Sequence, residues 1–293
     1  MDWSERMNAA ITYIEDNLEG EVDFSEAARL ACCSLFHFQR MFFAVFEVTP
    51  SEYTRLRRLT LAARELMTKN EKVIDVALQY GYDSPEAFTR AFRNVHGVNP
   101  LAARTSGAKL TAFPRISFHI EITGGNEMDY QIVEKPTFTL IGRSVKFGVA
   151  NGEFKDKGRT YWGKYVATEE YKTLFGLTGG KSGAVTGAYV MTAYLANENG
   201  TMDPFINVFG VEKNEKMDTA GFEEFHIPAA TYAEFICTMK TSAATNKRIY
   251  SEWFPSTGYE RDNKPDIALF FQIPWSRTMY VRWWVPIVKK NKK

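Results

Sequence analysis

Two ten-residue stretches of this chain, CSLFHFQRMF and DSPEAFTRAF, align at an offset of fifty, sharing Ser34/Ser84, Phe38/Phe88, Arg40/Arg90 and Phe42/Phe92. Each serine is placed to cap a helix by accepting from a first-turn N–H that no helical carbonyl can reach. Pro85 follows at the first helical position, where its missing N–H costs nothing. Phe38/Phe42 and Phe88/Phe92 anchor one face of each helix. A short helix precedes each serine, SEAARLA in one copy and VIDVALQY in the other. Gly81 supplies the left-handed residue that such a turn requires. In the first copy that place falls to Cys32, at a cost of about 1 kcal/mol. Helix, tight turn and capped second helix, present twice, predict a double helix-turn-helix.

The segment between the copies, SEYTRLRRLTLAARELMTK, carries Leu56, Leu59, Ala63, Leu66 and Met67 as one helical stripe. At about 1.5 Å per residue it spans roughly 28 Å, against about 34 Å between successive major grooves on one face of duplex DNA. A rod of this length can present both second helices to promoter DNA. On the first, Leu35, Phe38, Met41 and Phe42 form the inward stripe, which leaves Phe36, His37, Gln39 and Arg40 outward. Gln suits adenine, Arg suits guanine and an aromatic ring suits the thymine methyl. His37 fits a phosphate or water contact, and Phe36 fits packing as well as readout. On the second, Ser84, Glu86, Thr89 and Arg90 face outward; Glu86 either accepts from cytosine or complements the helix dipole. Arg57, Arg58 and Arg93 are expected to hold phosphates. From Ala27 to Thr105 there are eleven Lys/Arg against seven Asp/Glu, whereas Met1 to Glu26 holds eight acids and one base. The basic surface therefore belongs to the repeat region.

Those residues carry a resemblance. From about 8 to 104, SLFHFQRMF, RLTLAARELM, VIDVALQYGYDSPEAFTRAFRNVHGVNP and Arg104 resemble the DNA-binding domain of the AraC/XylS regulator family. The resemblance implies that Phe36, Gln39 and Arg40 read one major groove and that Ser84, Glu86, Thr89 and Arg90 read the next. Phe43 departs from the family's usual basic residue, and Pro85 with Glu86 departs from its usual polar readers.

After Arg104 the pattern changes. Residues 107–126 read as a linker with a connecting strand, Arg115 to Thr123, and a Gly-Gly-Asn break. From residue 127 strand-like segments dominate, interrupted by RTYWGKYVATEEYKTLF and SAATNKRIYSEWFPSTG as helices. Strand, helix, strand, strand occurs twice, which predicts an α+β domain of two halves about a pseudo-twofold axis, with a cavity at their seam. Five of the six tryptophans fall here: Trp162, Trp253, Trp275, Trp283 and Trp284. The candidate pocket lining is Tyr161, Trp162, Tyr189, Trp253, Tyr259, Phe270 and Trp284. IPAATYAEF, IYSEWFPSTGYE, KPDIALFF and VRWWVPI resemble the GyrI-like effector-binding domain, which is joined to AraC-type regions in Rob-like regulators. That resemblance implies small-molecule binding and a multidrug response. Drug-binding members place glutamates where this chain has Ala268 and Arg282. An arginine there disfavours a cation and favours a neutral aromatic or anionic ligand; alternatively Arg282 pairs with Glu234 and the pocket is vestigial.

The expected organisation is thus multidomain: an all-α double helix-turn-helix domain over 1–106, a linker over 107–126 and an α+β small-molecule domain over 127–293. Three cysteines without metal-ligand spacing fit a reduced, cytoplasmic chain, and no run is long enough to span a membrane. The expected partners are promoter DNA, a small-molecule effector and RNA polymerase, with a monomer sufficing and no cofactor or metal. Two alternatives stand. A GyrI-like hydrolase would use Glu234, Glu252 or Glu260 with a tyrosine, although no Ser-His-Asp or Cys-His set can be assembled for catalysis. A protein-interaction module would use the strand at Arg115–Thr123.

Overall fold

The computed structural model describes residues 3–69, 71–105, 108–118, 127–147, 159–201, 204–219, 221–272 and 278–290. The chain forms two units, one of residues 1–38 with 48–119, the other of residues 39–47 with 120–293.

The first unit contains α1 (Trp3–Asp16), α2 (Phe24–Leu30), α4 (Pro50–Thr68), α5 (Val73–Gln79), α6 (Pro85–His96) and a 3-10 turn, Ala102–Arg104. α3 (Leu35–Phe46) begins in this unit and ends in the other. The serine caps form as the sequence requires: His37 N–H donates to Ser34 Oγ at 3.3 Å and Ala87 N–H to Ser84 Oγ at 3.1 Å. Both turns use the left-handed residue, Cys32 at φ 55° and Gly81 at φ 76°. After each, the next N–H reaches back to close the helix, Cys33 to the Ala28 carbonyl and Tyr82 to that of Ala77. Leu59, Ala62, Ala63 and Leu66 of α4 pack with Val76, Ala77, Tyr80, Phe88, Phe92 and Ala103. Met67, expected in the α4 stripe, is exposed instead.

Residues 113–118 differ from the expected strand. Among the described residues they join no ladder; side chains of α1 and α4 satisfy their backbone instead. Phe113 N–H donates to Thr60 Oγ1, Ile116 N–H to the Tyr53 hydroxyl, and Phe118 exchanges two 2.8 Å bonds with the Asn8 amide. The rest of the expected strand, from 119 to 123, and the Gly-Gly-Asn break lie outside the described residues.

The second unit is built on a mixed-connection antiparallel sheet: β1 (Gln131–Lys135), β2 (Phe138–Phe147), β3 (Val190–Leu195), β4 (Phe205–Glu212), β5 (Glu223–Ile227), β6 (Ala230–Thr238), β7 (Tyr259–Arg261), β8 (Asp266–Gln272) and β9 (Met279–Lys289). The order is β1-β6-β9-β8-β3-β4-β2-β5, with β7 on β9. This order is a palindrome if β1, β2, β3 and β4 are exchanged with β5, β6, β8 and β9. The expected pseudo-twofold therefore runs between β3 and β8, where Tyr194 faces Asp266 and Thr192 faces Ala268. Each outermost strand pairs with the opposite half, β1 with β6 and β5 with β2. Gly142 and Gly210 face each other where β2 and β4 pair. A Cβ on Gly142 would lie 2.1 Å from the Phe209 carbonyl oxygen, so only glycine permits this approach.

The first helical insertion is two helices rather than one, α7 (Arg159–Tyr165) and α8 (Glu169–Gly176), because Thr168 caps a new start by accepting from Tyr171 N–H. The second runs through α9 (Ser242–Arg248), a π-helical stretch at Ile249–Trp253 and α10 (Phe254–Ser256). Met191, Ala193, Val208, Tyr232, Ile267, Leu269 and Trp284 form the core of one sheet face.

Candidate functional site

The two second helices differ in what they expose. α6 is strongly amphipathic: Phe88, Phe92 and His96 are buried, while Glu86, Arg90 and Arg93 are exposed and Ser84 and Thr89 half-buried. Its expected reading face is open. Glu86 stands in the first turn, and the Ser84 hydroxyl already serves as the cap.

α3 corrects the expected division into faces. Phe36, His37, Gln39 and Arg40 are 5%, 7%, 6% and 5% exposed, buried along with Phe38, Met41 and Phe42 of the expected inward stripe. The sequence contained a warning: nine of the twelve residues in LFHFQRMFFAVF are apolar, and a helix apolar on all sides is a buried one.

Arg40 lies in the second unit, with its guanidinium in an ionic cluster. Its Nε donates to Asp266 Oδ2 at 2.6 Å, with side chains 6% and 0% exposed. The guanidinium carbon stands 4.3 Å from the centre of the Tyr194 ring, which stacks on Trp283 at 5.7 Å. Tyr250 hydroxyl donates to the same Asp266 oxygen at 2.9 Å, and Arg261 Nη2 donates to the other at 2.8 Å. Burial would by itself raise the Asp266 pKa, but Arg261 and Arg40 outweigh it and hold the carboxyl down at about 2. Burial likewise opposes the charge on Arg40, and Asp266 reverses that, raising the guanidinium pKa.

Arg57 and Arg58 are also corrections. Arg57 makes a two-pronged pair with Glu15, at 2.9 and 2.8 Å, and donates to the Phe113 carbonyl at 2.6 Å. Arg58 donates to the carbonyls of Leu18 and Gly20. Both guanidiniums bind the first unit together.

The expected pocket lining falls into separate places within the second unit. Tyr161 and Trp162 meet at 4.8 Å, Trp162 stacks on Phe209 at 5.0 Å, and Phe209 faces Phe270 at 6.4 Å. Tyr189 joins through Phe175, at 6.2 Å. Tyr165, Tyr171, Phe175 and Phe209 complete this cluster; the last three were missed, because none has an aromatic immediate neighbour in the sequence. Trp162 Nε1 and the Tyr165 hydroxyl are buried there with no hydrogen-bond partner among the described residues. A cavity of about 380 Å³ beside Tyr189 is lined also by Thr178, Lys181, Glu212 and Lys213. Its buried acid is committed to the neighbouring turn: Glu212 accepts from Val185 and Thr186 N–H and from the Thr186 hydroxyl.

Trp253 and Tyr259 lie apart, stacked at 5.8 Å in the second half. Trp284 is fully buried in the sheet core and donates to Glu234 Oε2 at 2.8 Å. Ala268 is buried at the seam. Arg282 approaches the same Glu234 oxygen at 3.6 Å and stands 5.0 Å over Phe271, which is the geometry of the expected pairing alternative. Glu252 pairs with Arg248 at 2.7 Å. Trp275 lies outside the described residues. Among the described residues, no group of three His, Cys, Asp or Glu could hold a metal ion, and no helix is long and apolar enough to cross a membrane.

A helix-turn-helix domain model matches residues 27–106 and an integron-associated effector binding protein model matches residues 131–287. The activator AarP of Providencia stuartii is 35% identical over 96 residues, 33% of this chain and 71% of that protein. This chain belongs to the AraC-type regulators that carry an integron-associated effector-binding domain. The AraC-type half also resembles multiple antibiotic resistance protein MarA of Escherichia coli K12, 32% identical over 94 residues, covering 32% of this chain and 74% of that one. The HTH-type transcriptional regulator YbfP of Bacillus subtilis is 33% identical over 112 residues, and the match spans 38% of each chain. Among solved structures, SAV2435 bound to tetraphenylphosphonium overlays 55% of this AraC-type chain and 94% of that one, with TM-score 0.45 and 12% identity. An integron cassette protein from the mobile metagenome of Vibrio cholerae overlays 54% of this chain and 95% of that one, with TM-score 0.38 and 15% identity.

Proposed function

We propose that this AraC-type chain is a one-component transcription regulator, in which the helix-turn-helix half binds promoter DNA and the sheet half senses a small molecule. The carrying observation is α6: a buried Phe88/Phe92 side fixes the helix, and the opposite side offers Arg90, Arg93, Thr89 and Glu86 to solvent. Arg90 is assigned to a base edge and Arg93 to phosphate. Gln39 and Arg40 are the readers of the first groove when α3 is accessible. Because both reading helices belong to one chain, a single copy suffices for two adjacent grooves. RNA polymerase is the second macromolecular partner, and the cytoplasm is the compartment this activity requires. A hydrolytic role gains nothing from Glu234 and Glu252, which are engaged with Trp284, Arg282 and Arg248.

The effector reading rests on the cluster of Tyr161, Trp162, Tyr165, Phe209 and Phe270. Aromatic walls favour a flat apolar ligand, and two buried donors favour one bearing an acceptor. With the neighbouring Glu170 paired to Arg143 at 2.6 Å, the class that fits is a neutral aromatic with a carbonyl oxygen. The test is footprinting on the duplex upstream of the chain's own coding sequence, with and without coumarin or tetraphenylphosphonium. Protection of two successive major grooves is expected, altered by coumarin and unaffected by the cation. Arg90→Ala should cost about 1–3 kcal/mol at one base position; uniform weakening on every sequence would reduce Arg90 to a phosphate contact. Response to the cation alone would overturn the ligand class.

A further inference from the structure

We propose that the Arg40–Asp266 pair is an autoinhibitory latch: the side chain assigned to read the first groove is held by the effector-binding unit, and the first reading site opens only when that pair separates. The inference rests on the assignment of Arg40 as a DNA reader and adds what controls it.

Three observations carry it. First, the two occupations of Arg40 exclude each other. A guanidinium 2.6 Å from Asp266, with its side chain 6% exposed, has no path to a base edge, and base readout needs that guanidinium in the groove. Second, the holding site is built for a cation. Its carboxylate is fully buried, an aromatic face lies 4.3 Å from the guanidinium, and such a face attracts a desolvated cation. Tyr194 and Asp266 face each other across the β3–β8 ladder, so Arg40 sits on the seam between the two pseudo-equivalent halves. Any shift of one half against the other changes both of its contacts.

Third, the site can release Arg40 without leaving a bare charge. Asp266 keeps Arg261 at 2.8 Å and the Tyr250 hydroxyl at 2.9 Å. Arg261 in turn donates to the carbonyls of Asp262 and Lys264. Arg40 is therefore the surplus cation on a carboxylate that has a resident partner. Removing one member of an ordinary buried pair strands the other at considerable cost; here the departing member gains phosphate and base acceptors while the remaining one stays paired. A latch of this kind lowers apparent DNA affinity by the fraction of molecules that are open.

The test uses the full chain. Wild type and Asp266→Asn are compared for affinity to the upstream duplex, with random-sequence duplex as competitor, and for modification of Arg40 by phenylglyoxal without DNA. The latch predicts that wild-type Arg40 is protected while exposed Arg90 reacts. It also predicts that Asp266→Asn makes Arg40 reactive and tightens specific binding by at least about tenfold. Equal reactivity of Arg40 and Arg90 in folded wild type overturns the latch, and this result needs no variant. A folded Asp266→Asn that footprints with wild-type affinity overturns it too. Tyr250→Phe, which removes one hydrogen bond and no charge, should raise Arg40 reactivity severalfold; an unchanged rate counts against the latch. Absence of any footprint with either protein, on any sequence, overturns the DNA-reading assignment itself.

Discussion

Cys32 and Gly81 occupy the same place in two copies of one motif, at φ 55° and 76°. Glycine reaches that region freely, whereas a residue with a Cβ is strained there by about 1–2 kcal/mol, partly offset because glycine loses more freedom on folding. Cys32 is exposed, so its replacement removes little packing. Cys32→Gly should therefore stabilise the first unit by about 0.5–1 kcal/mol, read as a higher midpoint in thermal unfolding; an unchanged or lower midpoint would show that the thiol side chain offsets the strain. This residue was legible from the repeat alone, as were both serine caps. Arg40 was not. The repeat equates it with Arg90, yet one is exposed and the other is buried against Asp266, a residue 226 positions away. Local pattern carries no information about such a partner. The aspartate of KPDIALFF, charged at the start of a largely apolar strand, was the available hint.

At the scale of elements, α6 shows two forces opposing each other at one residue. His96 sits in the last helical turn, where the dipole favours a positive charge. Burial opposes that charge more strongly and lowers the imidazole pKa, even though the Leu59 carbonyl, 3.1 Å from Nε2, favours protonation. A lowered pKa means that the unfolded chain takes up a proton before the folded one does. Stability from this group is thus complete above the unfolded value of about 6.5 and is lost as pH falls below it. Wild type should melt progressively lower from pH 7.5 to pH 5, and His96→Gln, which keeps a donor toward Leu59 and does not titrate, should lose that component of the slope. Parallel slopes would remove His96 from the account. The strap at 113–118 is an element that the sequence misrepresented. Alternation in PRISFHI resembles a strand, but the N–H groups of Phe113, Ile116 and Phe118 are satisfied by Thr60, Tyr53 and Asn8. Alternation records which side of an extended chain is covered and not what its N–H groups bind.

At the scale of the second unit as a whole, the two-half organisation was readable because each half repeats the same order of elements. The exchange of outer strands was not, since strand order depends on pairing that no local signal encodes. That exchange has a mechanical consequence. β1 belongs to the first half in sequence and to the second in space, and β5 the reverse. A cut in the connection after β4, near residue 219, would leave β1 and β5 without their partners and expose the facing edges of β3 and β8. Unpaired edges leave backbone groups unsatisfied and invite aggregation. Residues 127–219 and 221–290 produced separately should therefore show no cooperative melt, and should regain one, with near-ultraviolet ellipticity, when mixed in equal amounts. A half that melts cooperatively on its own would mean that the β3–β8 seam is a contact between self-sufficient folds. If neither half does so, the seam that holds Tyr194 opposite Asp266 is part of the folding unit itself. Whatever separates Arg40 from it must then act by small shifts across one continuous sheet, with the halves still joined.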